Sequence, residues 1–183
     1  MTDDAFLRGE TCDLRPLRPA DADGPWARWF NDPEVNRWLF RGVFPTTPET
    51  QRSFLASIDP EQAGDLVLAI VDRPEDRHVG TIGLHRIDWV NRTAELGIVV
   101  GEPDARGRGI GTEATRLIVA HGFRRLNLHR IWLGVMAEHE AAVRLYEKVG
   151  FQVEGRLREE MERDGRRHDK LIMGLLAREL PHG

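Results

Sequence analysis

The pattern of apolar and polar positions along the chain predicts several β-strands. Residues 66–71, Leu-Val-Leu-Ala-Ile-Val, form a continuous apolar run, which is typical of a central strand. Residues 11–17 alternate between polar and apolar positions, as expected of a first strand with one buried face. Three further segments are predicted to be strands: residues 79–87, 94–100 and 130–136.

Apolar residues at helical spacing predict helices between these strands. Residues 109–126 carry an apolar stripe with the period of an α-helix. Residues 140–148 predict a second helix, which Gly150 ends at a left-handed cap. Shorter helices are predicted towards the amino terminus: one with an aromatic face (Trp26, Trp29 and Phe30), one from Pro33 through Trp38, and one over residues 47–58.

The last third of the chain adds a predicted hairpin. Residues 151–163 and 168–176 are expected to be strands on either side of Asp164-Gly165, a dipeptide typical of hairpin turns. Meandering strands followed by a β-α-β-α segment indicate an α+β fold with a mixed α/β sheet. We expect a mostly antiparallel sheet of about seven strands with about four flanking helices, in a single domain over residues 1–183.

Composition narrows the classes of function. The chain has 183 residues, of which 40% are hydrophobic and 31% charged, an ordinary balance for a globular protein. No apolar run approaches the ~18 residues that cross a membrane, and no signal peptide is recognisable, so we expect a cytoplasmic protein. The single cysteine, Cys12, excludes a disulfide framework. A net charge of −4 argues against a nucleic-acid partner, and no cluster with metal-ligand spacing predicts a metal.

Residues 101–114, Gly-Glu-Pro-Asp-Ala-Arg-Gly-Arg-Gly-Ile-Gly-Thr-Glu-Ala, carry the sharpest chemical signal. They follow a predicted strand and open the long helix. Glycines on alternate positions let the backbone approach a ligand without Cβ clashes. The start of a helix offers unpaired N–H groups and a partial positive charge. The segment therefore predicts a phosphate-binding loop, to which Arg106 and Arg108 add positive charge.

Two other phosphate-binding motifs do not fit this segment. A P-loop ends in Gly-Lys-Ser/Thr, but Thr112 and Glu113 follow Gly111. A dinucleotide fingerprint has a third small residue where this chain has Thr112, and it requires a βαβ unit that the amino-terminal half lacks. From these residues alone, an ordinary connecting loop remains the alternative.

Two motifs together extend this interpretation. Arg106-x-x-Gly109-x-Gly111 resembles the acetyl-CoA signature of the GNAT superfamily of N-acetyltransferases. Residues 142–151, Ala-Val-Arg-Leu-Tyr-Glu-Lys-Val-Gly-Phe, resemble its second cofactor motif, with one strand between the two. Residues 31–35 and 154–175 resemble the branch that contains ribosomal-protein N-terminal acetyltransferases and spermidine acetyltransferases. The resemblance implies a GNAT-like domain whose sheet is splayed at an acetyl-CoA site.

The resemblance also implies which residues contact the cofactor. Backbone N–H groups of the loop would hold the pyrophosphate of CoA: Arg106, Gly107, Arg108, Gly109, Ile110, Gly111 and Thr112. The strand before the loop would splay from residues 131–136, and pantetheine would pair with its free edge at Ile98, Val99 and Val100. Tyr146 matches the family tyrosine that points at the thioester sulfur. His139 stands where many relatives have Asn, and a neutral imidazole imitates part of that contact.

Acyl transfer from a thioester to an amine requires proton transfers, for which the chain offers candidates. Tyr146, the only tyrosine, would give a proton to the departing thiolate, and its alternative is a packing role. Glu95 is the first candidate for a base, with a solvent-facing or Arg92-paired carboxylate as the alternative. His85 is the second, since imidazole titrates near neutral pH, although a lone strand histidine is usually structural. A backbone N–H at residues 98–100 would stabilise the oxyanion.

The acceptor is expected to be a primary amine. It would be a small molecule, such as a polyamine or an aminosugar, or the amino terminus of a protein. Asp32, Glu34 and Asp88 could supply negative charge at the acceptor side, where His85 is a further candidate contact. Trp89, predicted to be exposed, would contact an acceptor or a second copy of the chain in a homodimer. The alternative function is a non-catalytic acyl-CoA sensor or partner module on the same fold.

Overall fold

One sheet organises the computed structural model, which describes residues 4–39, 43–58 and 64–180. Its eight strands are β1 (Leu7–Arg8), β2 (Cys12–Pro16), β3 (Leu66–Asp72), β4 (Arg77–Asp88), β5 (Thr93–Val100), β6 (Arg130–Met136), β7 (Gln152–Arg163) and β8 (Arg166–Leu176). They lie in the order β1-β2-β3-β4-β5-β6-β8-β7. Among these strands β5 and β6 form the one parallel pair, so the expected mostly antiparallel α+β sheet is confirmed.

The helices fall into two groups along the chain. The amino-terminal group is α1 (Pro19–Ala22), α2 (Trp26–Asn31), α3 (Pro33–Asn36) and α4 (Pro48–Ser57). The two longer carboxyl-terminal helices are α5 (Ile110–Arg124), which follows a 3-10 turn at Pro103–Ala105, and α6 (Glu140–Val149). A second 3-10 turn lies at Ala177–Glu179. Prolines at the first positions of α1, α3 and α4 suit helix starts, where a missing N–H removes no intrahelical hydrogen bond.

The two helix groups pack with different parts of the core. The main cluster of buried apolar residues joins the sheet to α5 and α6, with Ile118 and Ile131 both fully buried. A smaller cluster is built around Trp26 and Trp29 of α2, with Phe54 of α4 packed against it. The tryptophans that we predicted on one helical face therefore lie in a local core between the amino-terminal helices.

Small differences from the expected elements have local causes. The sequence pattern predicted about seven strands, and the additional strand β1 has only two residues, too few to show a period. The hairpin strand β8 begins at Arg166, two residues earlier than expected, because pairing continues to the turn at Asp164-Gly165. The single domain expected over residues 1–183 includes residues 1–3 and 181–183, which lie outside the described residues. None of the described helices combines the length and the apolar character that crossing a membrane requires.

Candidate active site

The sheet opens between β5 and β6. The two strands pair only at Thr93, Ala94 and Glu95, whose last partner is Trp132. Beyond that pair β5 continues to Val100 and β6 to Met136 without pairing to each other. A V-shaped gap therefore separates the two central strands, with Glu95 at its vertex.

The backbone of β5 presents free hydrogen-bonding groups to this gap. The amide of Gly101 donates to Val79 of β4 at 2.9 Å. In an antiparallel ladder the groups that face the partner alternate with those that face away. Given the register of β4 with β5, Leu96, Ile98 and Val100 direct their N–H and C=O groups towards β6. The edge that we predicted at residues 98–100 is thus open at Ile98 and at the Val100 amide, whereas the Val100 carbonyl accepts from Arg106.

Glycines shape the loop that leads from β5 into α5. Gly109 is the N-cap of α5 with φ of 86°, and Gly107 has φ of 73°. A Cβ added to either glycine would meet no atom within 4 Å, so the space in front of the loop is open. The first hydrogen bond of the helix runs from the amide of Glu113 to the carbonyl of Gly109. The amides of residues 110–112 therefore have no acceptor within the helix and are available to an anion.

The two arginines of the loop make contacts with the protein itself. The Arg106 guanidinium donates to the carbonyl oxygens of Val100 at 3.2 Å and Gly101 at 2.7 Å. The Arg108 guanidinium forms an ion pair at 2.7 Å with Asp72, whose side chain is fully buried. These side chains hold the loop in shape, which leaves the backbone amides as the groups that face the open space.

A carboxylate in the first turn of α5 anchors the helix to the start of the sheet. Glu113 accepts hydrogen bonds from the backbone amides of Glu10, Thr11 and Cys12 at 2.6 to 2.9 Å, and from the Thr11 hydroxyl. Burial by itself would raise the pKa of Glu113, but these hydrogen bonds lower it to about 2. The position of α5, and with it that of the loop, is therefore fixed by the turn between β1 and β2.

Tyr146 of α6 lies against the gap and is buried. Its ring packs edge-on against Phe151 at 5.9 Å between centroids. Burial raises the pKa of the Tyr146 phenol to about 12, so the hydroxyl stays protonated at neutral pH. A protonated hydroxyl beside the gap suits the predicted role as a proton donor.

His139 occupies the N-cap position of α6 and contacts the segment that follows α3. Its side chain makes no capping hydrogen bond. The imidazole instead stacks on the Trp38 indole, with 4.5 Å between centroids, and the Arg37 guanidinium lies 4.9 Å from the same indole. Burial, with a smaller contribution from Arg37, lowers the pKa of His139, which keeps the imidazole neutral. His139 thus links the segment after α3 to the start of α6.

One cleft of about 1280 Å³ brings most of the predicted residues together. Those that line it are Glu34, His85, Glu95, Ile98, Val99, Val100, Arg106, Gly107, Gly109, Gly111, Thr112, His139 and Tyr146. Arg108 and Ile110 belong to the loop without lining the cleft, and their amides are the predicted contacts. Asp32 instead caps α3 by accepting from the Glu34 amide at 2.9 Å. Trp89 lies in the β4–β5 turn, with 45% of its surface exposed and outside the cleft lining.

The two predicted bases occupy opposite positions on β4 and β5, since His85 pairs with Glu95 in the register. Glu95 forms an ion pair with Arg86, and not with Arg92. The His85 Nδ1 lies 3.4 Å from a carboxylate oxygen of Asp65. Asp88 accepts the amides of Val90 and Asn91 and so stabilises its own turn. The described residues contain no group of three or more His, Cys, Asp or Glu side chains that could hold a metal ion.

Sequence reasoning missed Asp65 and Glu113. Asp65 immediately precedes the apolar strand β3. The sequence shows a carboxylate at this position, but it does not show which side chain the carboxylate contacts. Its partner His85 becomes apparent only from the antiparallel register of β3 with β4. Glu113 had no such signal, because its hydrogen-bond donors lie about 100 residues earlier in the chain.

Comparisons with known proteins agree with this geometry. The profile of a family described as "Acetyltransferase (GNAT) domain" matches residues 12–152. The uncharacterized N-acetyltransferase p20 of Bacillus licheniformis is 33% identical, over 94% of this chain and 97% of p20. The putative ribosomal N-acetyltransferase YdaF of Bacillus subtilis is 30% identical, over 91% of each protein. The crystal structure of spermidine N-acetyltransferase from Vibrio cholerae in complex with CoA and spermine superposes with a TM-score of 0.84, at 25% identity, over 93% of this chain and 98% of that one.

Proposed function

The chain belongs to the GNAT acetyltransferase family and is an acetyl-CoA-dependent N-acetyltransferase; we propose that it transfers the acetyl group directly to a primary amine bound in the cleft beside Glu95 and His85. One observation carries this proposal. The glycine-rich loop, the free edge of β5 and Tyr146 all line the one cleft that contains the V-shaped gap. The loop therefore suits the pyrophosphate of acetyl-CoA, the β5 edge suits the peptide-like pantetheine, and Tyr146 suits the leaving thiolate.

The loop has the free amides and the open space that the phosphates of acetyl-CoA require. The amides of residues 110–112 lack intrahelical acceptors, and the space before Gly107 and Gly109 is open to a phosphate. The amide and carbonyl of Ile98 and the amide of Val100 offer hydrogen bonds to pantetheine, as a sheet edge does to an added strand. When bound, acetyl-CoA supplies an activated acyl group whose carbonyl carbon accepts the amine.

The protein contributes proton transfer and orientation to the reaction. Tyr146 donates its proton to the departing sulfur, because burial keeps the phenol protonated. An amide on the β5 edge donates a hydrogen bond to the thioester oxygen as negative charge develops there. The amine nitrogen must lose a proton before it can attack, since an α-amino group is about one-tenth neutral at pH 7 and an alkyl amine far less. The base for that step belongs to the acceptor side of the cleft.

The carboxylates around that side already have cationic partners. Glu34 pairs with Arg37 at 3.1 Å, Glu95 pairs with Arg86, and the nitrogen of Lys170 lies 3.8 Å from Glu160. Of these pairs, Glu34 and Arg37 have both side chains exposed; because exposed ion pairs contribute only about 0–1 kcal/mol, a cationic acceptor can replace Arg37 at little cost. Polyamines and peptide amino termini both satisfy this condition. Of the proteins named above, one is a spermidine N-acetyltransferase and one is named a putative ribosomal N-acetyltransferase.

The experiment is an acceptor panel with acetyl-CoA. Release of the CoA thiol is followed with spermidine, an aminosugar and a peptide with a free amino terminus. The same peptide with its amino terminus blocked is the matched control. We expect thiol release that depends on a free primary amine, with a product one acetyl group heavier by mass spectrometry. If the protein binds acetyl-CoA yet no acceptor raises thiol release above the background, the sensor function replaces this proposal; neither the family nor the named relatives favour it.

Two finer proposals concern the state of the protein. We propose a cytoplasmic location and a homodimer contact at the β4–β5 turn, where Trp89 and Val90 are 45% and 91% exposed. Light scattering of the wild type and of Trp89→Ala tests the dimer. A single monomeric mass for the wild type at all concentrations would remove it.

A further inference from the structure

His85 lies on the floor of the acceptor side of the cleft, in a space that two glycines create. A Cβ added to Gly83 would be 2.8 Å from the His85 Nε2, and one added to Gly97 would be 3.3 Å from it. Any other residue at these two positions would press against the imidazole. The ring therefore lies across β4 and β5, and its Nε2 is above the backbone of both strands.

This placement brings Nε2 close to the reacting part of the cleft. Gly97 precedes Ile98, whose backbone groups point into the gap where the thioester is proposed to bind. Gly97 and Glu95 share the face of β5 opposite to Ile98, because side chains alternate along a strand. An acceptor amine on that face would meet the imidazole before it reaches the strand edge.

Asp65 fixes the orientation of this imidazole. One carboxylate oxygen of Asp65 accepts the backbone amide of Arg86 at 2.7 Å. The other lies 3.4 Å from the His85 Nδ1. A carboxylate held in this way favours the tautomer with the proton on Nδ1 and leaves Nε2 as a proton acceptor.

Glu95, the other predicted base, is placed less well for the same task. Its carboxylate is held by the Arg86 guanidinium, which also lies 5.6 Å from the Trp132 ring. To accept a proton from the amine, Glu95 would have to leave that ion pair. In the part of the chain that the structure describes, the charged partner of the His85 imidazole is Asp65, so His85 needs no such rearrangement.

We infer that His85 is the base that takes the proton from the acceptor amine and that Asp65 is its positioning residue; this assignment rests on the proposed acetyl transfer. The ammonium group of the acceptor loses one proton to Nε2, which then releases it to solvent. The neutral nitrogen forms the C–N bond as the C–S bond breaks. The nitrogen then loses its second proton to solvent. Tyr146 gives one proton to the sulfur and takes one back from solvent, so these two transfers cancel. The products are one amide, one thiol and one released proton.

The test compares four variants, His85→Gln, His85→Ala, Asp65→Asn and Glu95→Gln, with the best acceptor of the panel. Steady-state rates are measured from about pH 5.5 to about pH 9, because an imidazole ordinarily changes charge in the lower part of this range. Arg86, Glu95, Glu160 and Lys170 also line the cleft, and Glu95→Gln removes the charge of the other candidate base, so its pH profile distinguishes the two candidates. The affinity for acetyl-CoA and the thermal stability of each variant establish that the fold is intact.

We expect His85→Gln to lower kcat/KM for the acceptor by about 100-fold, the range of a lost general base, without changing the affinity for acetyl-CoA. The rise of kcat/KM on the acidic side of the pH profile should disappear in this variant, and Asp65→Asn should displace it with a smaller loss of rate. Added imidazole should restore part of the rate of His85→Ala. Glu95→Gln should keep the rise.

Two results would overturn the assignment. One is a value of kcat/KM for His85→Gln that still rises with pH as in the wild type and stays within about threefold of the wild-type value. The other is loss of that rise in Glu95→Gln, which would make Glu95 the base. Failure of the wild type to acetylate any acceptor would instead contradict the proposed function, so the two failures are distinguishable. If His85→Gln does not fold, imidazole rescue of His85→Ala decides between these results, and absence of rescue in folded protein counts against His85.

Discussion

The indole of Trp29 lies directly against Gly101, so that a Cβ on residue 101 would be only 2.1 Å from the ring. The same indole donates a 2.7 Å hydrogen bond from its N–H to Glu102. Trp29 belongs to α2 and packs with Trp26 in the core of the amino-terminal helices. Residues 101 and 102 begin the loop that precedes α5. The acceptor-side helices and the cofactor loop therefore meet through one buried side chain.

Gly101→Ala should weaken both the fold and the binding of acetyl-CoA. The added methyl group cannot fit beside the indole, and overpacking of this kind costs about 1–3 kcal/mol. The loop must shift to relieve the overlap, so KM for acetyl-CoA should rise. Urea unfolding and steady-state kinetics measure the two effects. Gly155→Ala is the control, since a Cβ there meets nothing within 4 Å; equal losses in both variants would contradict the role of Trp29.

Gly109→Ala should weaken acetyl-CoA binding beyond its effect on stability. Gly109 has φ of 86°, a conformation that costs a non-glycine residue about 1–2 kcal/mol. Its Cβ would also enter the open space in front of the loop. Gly165→Ala is the matched control, because Gly165 has φ of 73°, equally open surroundings and a position in the β7–β8 turn.

Both glycine variants should lose similar free energies of unfolding, but only Gly109→Ala should raise the Kd for acetyl-CoA, by about tenfold or more, equivalent to about 1.4 kcal/mol. Calorimetric titration with acetyl-CoA measures this difference. An unchanged Kd in Gly109→Ala would place the phosphates away from this loop.

Tyr146→Phe should slow the chemical step and spare cofactor binding. Phenylalanine preserves the edge-on contact with Phe151 and removes only the hydroxyl. We expect kcat to fall by about 100-fold, while the Kd for acetyl-CoA stays within about twofold. Because burial raises the pKa of Tyr146 to about 12, this group stays protonated near pH 9, and any decline in rate below that pH has another origin. Undiminished turnover in Tyr146→Phe would leave the residue with a packing role.

The long periodic segments were predictable from sequence, and the contacts between them were not. The helix over residues 110–124 and the strand over 130–136 follow directly from apolar periodicity, and the glycines before α5 indicated a helix start open to an anion. The pairing of Arg108 with Asp72 was hidden, because it joins the loop to a strand 36 residues earlier. The sequence therefore predicted that Arg108 adds positive charge to the loop, but not that its side chain pairs with a buried carboxylate.

The acceptor-side residues were predicted only in part, because their positions also depend on contacts between distant elements. Glu34 and His85 were expected there and do line the cleft, whereas Trp89 and Asp32 do not. A turn residue such as Trp89 can be recognised as exposed from its sequence, but the direction of its hairpin depends on the twist of the sheet. The free edge of β5 was predicted from the resemblance, and its alternation at Ile98 and Val100 required the register with β4.

The Glu113 carboxylate should make the fold sensitive to acid. Its pKa is lowered to about 2 from an ordinary value of 4.5, so its stabilisation is fully present above pH 4.5 and is lost as the pH falls towards 2. Glu113→Gln should therefore lower the free energy of unfolding at pH 7 by about 1–3 kcal/mol, and its difference from the wild type should shrink between those pH values. Urea unfolding at a series of pH values measures this. Glu140→Gln, in the first turn of α6 with an exposed side chain paired to Arg144, is the control and should cost less than about 1 kcal/mol. A pH-independent difference for Glu113→Gln would show that the carboxylate does not anchor α5.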